Sequence, residues 1–478
     1  MKPLSREAKT LLILARYFAI RESTMTIGLL RITLAATLIG GCTFYHPLAL
    51  DDSAHMAASL ADLKADPSRI RIGSLASHKF DPSDGLDITE VATLAVINNP
   101  DLRLARDDAR IVRAQSFAAG LLPDPQVSLT RDFPRRGIQG TTSAYNAGLG
   151  YDLSSIIAHA VGAAAAREEN ARADLNLLWQ EWQVVAQARL LCSRALSQDR
   201  LLVWMKRNHE LLQARLRHSQ EAEAAGNLGI DQSSAVIVAA QDAARQQSDL
   251  ERQQLQVRQD LNTLLGLAPG VLLELVDEDL PGVPDEEAAR RYEEQLPARR
   301  PDLLALKAGF AAQDARYRQA ILAQFPPLNL TFTRARDTAG VSTVGFALAT
   351  ALPLWNRNRG NIRIEDASRE RLRDEYESRL AAARAEVERV LQDNRLVSAQ
   401  LRAAEDSLPA LDRAADNARR ALDEGTMEAA SFAAVETARI SKHVEAVNLA
   451  QSLREGEIAL LTLVGGDFPA YSASRNKP

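Results

Sequence analysis

The sequence predicts a mainly α-helical protein with a small β part, assembled from two copies of one unit. Three observations support this fold class: an internal repeat, short runs in which apolar and polar residues alternate, and very long runs with an apolar residue every three or four positions. Pro100-Asp101-Leu102 recurs as Pro301-Asp302-Leu303, and Leu264-Leu265-Gly266 recurs as Leu463-Val464-Gly465. Each copy has the same order of a helix, a pair of strands and a helical hairpin.

The composition excludes several classes of function. The 478 residues carry 57 basic and 62 acidic side chains, and this net charge of −5 is too balanced for a nucleic-acid partner. The two cysteines cannot build a disulfide framework, and the seven histidines show no metal-ligand spacing. The sequence has no P-loop, no nucleophile elbow and no clustered carboxylates on a structured scaffold. We therefore predict no enzymatic activity, no cofactor and no bound metal.

The N-terminal region has the features of an export signal. Arg31 precedes the apolar stretch Ile32–Ile39, which is followed by Gly40-Gly41-Cys42. A positive charge, a short apolar run and small residues before a cysteine resemble a bacterial lipoprotein signal, in which Cys42 is acylated and becomes the first residue. An ordinary signal peptide with a chance cysteine is the alternative. We assign residues 1–41 to the signal region, with Met25 as the predicted true start, and residues 42–85 to a lipid-anchored N-terminal arm.

Four β segments are predicted, two in each copy. Within residues 125–152 and 326–352, apolar side chains such as Val127 and Phe332 alternate with polar ones. Each segment has about ten residues, the length that a tilted strand needs to cross a bilayer. Two soluble hairpins on a domain face fit the alternation equally well. Four strands cannot close a barrel, and an open edge in lipid leaves backbone groups unpaired, so a membrane barrel would be shared between subunits.

The long helices carry a seam of apolar residues at heptad spacing. In the second copy the seam runs from Tyr376 to Leu422 with one polar interruption, Asn394, and a less regular seam lies in the same phase 199 positions earlier. A repeat of about 3.5 residues over this length predicts helices that wind around each other as in a left-handed coiled coil.

Glycines interrupt both seams at matching places. Gly226 and Gly229 in the first copy, and Gly425 in the second, are each followed by a renewed helical pattern. Because glycine readily adopts the left-handed conformation that ends a helix, we predict a helical hairpin in each copy, turning near 226 and near 425. A glycine tolerated within one continuous helix is the alternative.

These features divide the rest of the chain into four parts. Repeat 1 covers residues 86–266, and an acidic, proline-containing connector covers 267–298. Repeat 2 covers residues 299–466, and a C-terminal tail covers 467–478. Each repeat consists of a helix, a strand pair and a hairpin.

Several motifs, taken in order, resemble the TolC-type outer-membrane efflux protein family. They are Asn99–Leu102 and Ala119–Pro125 in the first copy, Arg300–Leu303 with Phe325-Pro326 in the second, and Leu352–Trp355 at a strand-to-helix junction. The resemblance covers about residues 86–466. It implies a homotrimer with a twelve-stranded outer-membrane β-barrel, four strands from each protomer, above a long α-helical tunnel through the periplasm.

The resemblance also implies a function and partners. It implies passive conduction of solutes from an inner-membrane pump, with a periplasmic adaptor that opens a tunnel closed near the hairpin tips and with outer-membrane lipid around the barrel. Two alternatives remain open: a lipoprotein coiled-coil scaffold without a pore, and a type I protein-secretion conduit. Asn356–Asn361 resembles the junction in outer-membrane components of heavy-metal exporters, so metals are one possible solute.

Residues near the tips are candidates for the gate. Family members often carry acidic residues just after the second tip, but Ala430–Ala434 has no carboxylate here, which puts an aspartate-ring gate in doubt. Asp231, Glu424 and Glu428 are the nearest acidic residues, and a solvated or helix-capping role is the alternative for each. The basic segment Arg131–Arg136 would face the exterior and is expected to be solvated.

Overall fold

A computed structural model describes residues 45–53, 55–64, 66, 70, 72–135, 140–466 and 468. The chain divides into two compact units, Met1–His55 and Met56–Pro478. In the first unit, the Asp51 carboxylate bonds the Ser53 hydroxyl and the His55 ring. The predicted signal region, Cys42, and the predicted tail apart from residue 468 lie outside the described residues. Every described helix and strand belongs to the second unit.

The second unit is mainly helical and contains one small sheet. After a 3-10 turn at Leu60–Asp62, the helices are α1 Gly73–Ser77, α2 Ile88–Asn98, α3 Pro100–Ala119, α4 Leu153–Ala224, α5 Ile230–Leu265, α6 Glu286–Glu294, α7 Leu296–Arg299, α8 Pro301–Leu322, α9 Arg359–Asp423 and α10 Ala429–Val464. The strands are β1 Gln126–Asp132, β2 Ala144–Asp152, β3 Leu328–Arg336 and β4 Ser342–Thr350. The predicted mainly helical fold with four β-strands is confirmed.

Two helices are exceptionally long. α4 has 72 residues and α9 has 65, which correspond to roughly 110 Å and 100 Å at 1.5 Å per residue. Pro409 lies inside α9, and the helix continues through it although proline cannot donate a backbone hydrogen bond. Among the described residues, no helix combines the length and the apolar character needed to cross a membrane.

The heptad seam of the second copy faces neighbouring helices. Val387, Ala404, Ala415 and Ala418 of α9 are buried, and the remaining seam positions from Tyr376 to Leu422 are at least partly buried. Small residues on this seam allow close approach of α10, which packs along α9.

The one polar residue in the seam also has a structural explanation. Asn394 occupies the space beside Gly456 of α10, and a side chain at position 456 would overlap the Asn394 amide. The pairing of a polar side chain with a glycine lets the two helices remain in contact where the apolar pattern stops.

The two predicted copies contain comparable hydrogen bonds and have the same order of elements. In the first copy, Asn99 Nδ2 donates to the carbonyl oxygen of Leu264 at 3.0 Å. In the second copy, Arg300 Nη1 donates to the carbonyl oxygen of Leu463 at 3.4 Å. In both cases the residue before the Pro-Asp-Leu motif is tied to the end of the hairpin's second helix.

The largest core lies where the chain before α3 packs on the long helices. Val91 of α2 belongs to an apolar cluster with Trp182 of α4 and Ile458 of α10, and all three side chains are almost fully buried. A parallel bridge between Leu86 and Leu275 holds the start of α2 beside the connector. This core fixes the hairpins relative to each other far from their tips.

The four strands form one antiparallel sheet in the order β1-β2-β3-β4. The register aligns one row of apolar residues across one face: Val127, Leu149, Phe332 and Phe346. The adjacent row on the opposite face consists of small and polar residues: Ser128, Gly148, Thr333 and Gly345. Apolar side chains on the first face are exposed, with 77% of Phe346 accessible. The sheet therefore has one apolar face and one polar face, and β1 and β4 each leave an edge unpaired within the described residues.

Candidate functional site

Both helical hairpins turn at a left-handed glycine. Gly226 has φ +75° and Gly425 has φ +72°, a conformation that glycine adopts without a Cβ penalty. In each tip the residue after the glycine donates its backbone N–H to a carbonyl of the last helical turn at 2.8 Å: Asn227 to Ala222, and Thr426 to Ala421. This pattern satisfies carbonyls that the helix end leaves free.

The third predicted tip glycine has a different role. Gly229 lies at the N-cap of α5 with φ −79° and ψ 151°, an extended conformation open to other residues. A Cβ at this position would lie 2.7 Å from Asp231 Oδ1, so the Asp231 carboxylate folds back over the helix start. An acidic side chain in the first helical turn is stabilised by the helix dipole.

The two predicted acids at the second tip lie on opposite sides of its turn. Glu424 is exposed at the C-cap of α9, and Glu428 occupies the N-cap of α10 without a side-chain capping bond. Of the three predicted acids, only Glu428 lines the space between the two hairpins. The structure therefore brings Glu428 to this space, and Asp231 and Glu424 do not reach it.

That space is a groove between the α4–α5 hairpin and the α9–α10 hairpin near their tips. It has a volume of about 1040 Å³. Its walls combine apolar side chains from all four helices with charged groups from α4, α9 and α10, including Arg207, Arg215, Asp416, Arg419 and Glu436. An open groove with this lining can change its width as the hairpins move.

A charged cluster that sequence reasoning missed crosses one end of the groove. Glu436 of α10 has a side chain only 6% exposed, and its Oε1 lies 2.7 Å from Arg207 Nε of α4. The same oxygen lies 3.4 Å from Arg439 Nη2. Arg439 also lies 3.8 Å from Asp412 and 3.9 Å from Asp416, both on α9. This charged cluster joins α4 to α9 and α10.

An aromatic stack extends the charged cluster along the helices. The ring of Trp204 on α4 lies parallel to the ring of His443 on α10, with centroids 4.0 Å apart. His443 Nε2 lies 3.0 Å from Asp412 Oδ1, and the Arg439 guanidinium lies 5.9 Å from the Trp204 ring. Stacking and cation–π contacts thus hold the same three helices together.

The sequence contains one signal for this cluster. Glu436 and Arg439 stand three positions apart on α10 among the apolar residues Phe432, Ala433 and Ile440, all of which are buried. Charged residues at core-facing positions of a helix call for partners on neighbouring helices. Their partner on α4 could not be identified from sequence, because it depends on how the two hairpins pack.

A second buried charged group lies at the start of repeat 2. Asp302 accepts hydrogen bonds from Arg300 at 2.9 and 2.7 Å, and from Arg379 of α9 at 3.1 Å. The Arg300 guanidinium lies 4.9 Å from the centre of the Trp179 ring. Burial alone would raise the pKa of Asp302, but the two arginines outweigh it and hold that pKa below its usual range.

One group of potential metal ligands occurs among the described residues. His78, Asp87 and Glu90 bring one ligand atom each within 4.8 Å of the others. The two carboxylates already form a capping box: Asp87 accepts the backbone N–H of Glu90 at 2.8 Å, and Glu90 accepts that of Asp87 at 3.2 Å. The group therefore serves to start α2.

The thiol of Cys192 is buried in α4. Burial raises its pKa to about 12, with a smaller contribution from the Asp87 charge. A thiol with this pKa is protonated near neutrality and is a poor nucleophile, so Cys192 serves as a packing residue.

Comparison with known proteins connects this geometry to a family. The family model described as outer membrane efflux protein matches residues 294–466. This range begins at the end of α6 and contains the whole of repeat 2. Among curated proteins, none matches the chain by sequence.

Solved structures resemble the chain over most of its length. The structure of CusC, described by the conformational changes that accompany folding and transmembrane channel formation, aligns with TM-score 0.65 and 18% identity over 84% of this chain and 98% of its own. The outer-membrane channel OprN aligns with TM-score 0.66 and 17% identity over 89% and 99%. The Campylobacter jejuni outer membrane channel CmeC aligns with TM-score 0.65 and 15% identity over 90% and 96%. At these identities the likeness establishes a shared fold.

Proposed function

We propose that this protein is the outer-membrane exit duct of a tripartite efflux system, because residues 294–466 match the family model described as outer membrane efflux protein. The observation that carries the proposal is the two-faced sheet, whose outer edges are unpaired within the described residues, joined to helices roughly 100 Å long. Such a duct conducts solutes passively from an inner-membrane pump and a periplasmic adaptor to the exterior.

The sheet supplies the part that crosses the outer membrane. Its apolar face would contact lipid, and the row of Ser128, Gly148, Thr333 and Gly345 would line a polar lumen. An open edge in hydrocarbon is costly, since each unsatisfied backbone group there costs several kcal/mol. Pairing of β1 in one subunit with β4 in the next removes both edges. Three subunits would then form a barrel of twelve strands.

The hairpins supply the periplasmic part. Six hairpins from three subunits would stand side by side as a tube, with their tips at the end remote from the membrane. The groove between the two hairpins of each subunit lies at this end, and Gly226, Gly425, Glu428 and the charged cluster are located there. We place the gate in this region, because widening the groove would part the tips. Asp231 and Glu424 would act at most as surface charges of the tips.

Acylation of Cys42 would add a lipid anchor to the protein. Each buried lipid methylene contributes about 0.8 kcal/mol, and more than one acyl chain makes anchoring stable. Mass spectrometry of the purified protein tests this proposal. A mature N-terminus at residue 42 carrying acyl chains is expected, and an unmodified Cys42 would refute it.

Conductance in planar lipid bilayers tests the duct itself. We expect oligomers resistant to mild detergent and discrete conductance steps that grow when the groove is destabilised. A lipoprotein scaffold without a pore would give no conductance and would leave the membrane on lipase treatment without detergent. Either result contradicts the duct.

The solute requires a cellular experiment. Deletion of the gene, followed by growth in drugs and in heavy metals and by measurement of secreted proteins, distinguishes drug efflux, metal efflux and type I secretion. Complementation by the intact gene is the control. A phenotype confined to secreted proteins would replace the efflux assignment by protein secretion.

A further inference from the structure

Three arginines meet at one end of the apolar face of the sheet. The register places Arg131 of β1, Tyr145 of β2 and Arg336 of β3 in one row across the strands, and Arg334 lies in the next row of the same face. β1 and β3 run away from α3 and α8, so this row is at the end of the sheet remote from the helices. We call Arg131, Arg334 and Arg336 the arginine row.

The height of the arginine row matches the edge of a membrane. From Leu328 to Arg336, β3 extends about 27 Å at ~3.4 Å per residue, which is about 21 Å along the membrane normal at the ~40° tilt of barrel strands. The apolar band of an outer-membrane barrel is about 25 Å tall. If Leu328 lies at one boundary of the hydrocarbon, the backbone of Arg336 lies about 4 Å short of the other boundary, and its long side chain can extend to the phosphate headgroups. Arginine is unfavourable at the bilayer midplane on a lipid-facing side and is tolerated near the interface.

The charges of the arginine row are not neutralised by the described parts of the sheet. All three side chains are exposed, and no carboxylate among the described residues forms an ion pair with them. Asp132 belongs to the opposite face of the sheet by strand alternation, and the Asp337 carboxylate accepts the backbone N–H groups of Ala339 and Val341. An anion can therefore approach from the apolar face.

We propose that the arginine row binds the phosphate groups of lipopolysaccharide in the outer leaflet of the outer membrane. The inference rests on the proposed function, since it requires the sheet to cross that membrane with its loops outside. Guanidinium groups bind phosphate through paired N–H donors, so the chemistry suits a phosphorylated sugar headgroup better than a neutral one. Tyr145, 40% exposed between two of the arginines, offers a ring and a hydroxyl at the same depth.

Binding of rough-type lipopolysaccharide to the purified wild-type protein in detergent micelles tests this inference. We compare it with a variant carrying Arg131→Gln, Arg334→Gln and Arg336→Gln. The loss of three arginines near an anionic surface is expected to weaken binding roughly 100-fold, at about fivefold for each. The matched control carries Arg384→Gln, Arg389→Gln and Arg402→Gln, which remove the same charge from exposed positions on α9 and should bind as the wild type does. Enzymatically dephosphorylated lipopolysaccharide should bind the wild type as weakly as the intact form binds the variant.

The inference is overturned if the variant binds intact lipopolysaccharide like the wild type, or if dephosphorylation has no effect. It is also overturned if phosphatidylglycerol competes as well as lipopolysaccharide does, because the surface would then recognise anionic lipid in general. Conductance of the same preparations separates the two proposals. If the preparations form channels but the variant binds lipopolysaccharide as the wild type does, only the role of the arginine row is refuted. If the wild-type protein forms no channels, the proposed function is refuted.

Discussion

Replacement of Glu436 by glutamine should shift the duct towards its open state. The substitution keeps the size of the side chain and removes its charge, while Arg207 and Arg439 remain in place at 2.7 and 3.4 Å. Because the Glu436–Arg207 contact bridges α10 and α4, it must break when the two hairpins separate at the groove. An interaction that exists only while the groove is narrow stabilises the closed arrangement of the tips.

The magnitude follows from the surroundings of the two pairs. Loss of one partner of a fully buried ion pair costs about 3–5 kcal/mol, but half of the Arg207 side chain is exposed and solvent screens its charge. Asp412 and Asp416 still neutralise Arg439 in the variant. An exposed ion pair contributes about 0.2–1 kcal/mol, and because the Glu436–Arg207 pair is buried on one side only, we expect a loss between these limits, of about 2 kcal/mol. That loss corresponds to a shift of roughly 30-fold in the ratio of open to closed channels.

Single-channel recording in planar bilayers measures this ratio directly. The matched control is Glu405→Gln, which removes the same charge from an exposed position on α9 and should leave the ratio unchanged. An open fraction for Glu436→Gln equal to that of the wild type and the control would refute the role of the charged cluster in closing the duct.

Three further outcomes are expected. Asp302→Asn should lower the thermal midpoint of unfolding near neutrality, and the difference from the wild type should vanish in acid. The reason is that the pKa of Asp302 in the folded state lies below its usual value. The resulting stabilisation is present above about pH 4 and is lost as the pH falls through the folded-state pKa. A difference that stays constant down to pH 2 would contradict this reading. Gly226→Ala should lower the free energy of unfolding by about 1–2 kcal/mol, because alanine is strained at positive φ. Gly266→Ala should lower it further, because its Cβ would also lie 3.1 Å from a backbone carbonyl oxygen. Equal thermal midpoints of the two variants would exclude this steric contribution. Cys192 should resist maleimide at pH 8 in the folded protein and react after unfolding, because burial raises its pKa to about 12. The measurement uses a variant that lacks the other cysteine. Rapid labelling of the folded variant would show that the helices open around Cys192.

Sequence patterns predict those parts of the fold that depend on local periodicity. The seam from Tyr376 to Leu422 identified the buried face of α9, because a helix presents the same side every seven residues. The strand alternation identified the two faces of the sheet in the same way. The sequence did not predict α2, which is buried over most of its length although its own apolar pattern is weakly one-sided. Its burial depends on packing against Trp182 and Ile458, which lie far along the chain.

The functional region shows the same limit. Gly226 and Gly425 were identifiable because a single residue type meets the backbone requirement of a tight turn. The contact between Arg207 and Glu436 was not, because it joins helices of different repeats and no spacing along the chain encodes it. Proximity to a tip in sequence also singled out Glu424, which the structure places outside the groove.

The charged cluster has a consequence for the symmetry of the tube. At the register of the tips, the positions of repeat 1 that correspond to Glu436 and Arg439 are Ile237 and Ala240, which carry no charge. The two hairpins therefore have the same arrangement of helices, but only the α9–α10 hairpin carries Glu436 and Arg439. In a tube of three subunits, hairpins that carry Glu436 and Arg439 would alternate with hairpins that carry their partner Arg207. Opening such a tube would move the three hairpins that carry Glu436 relative to the three hairpins that carry Arg207.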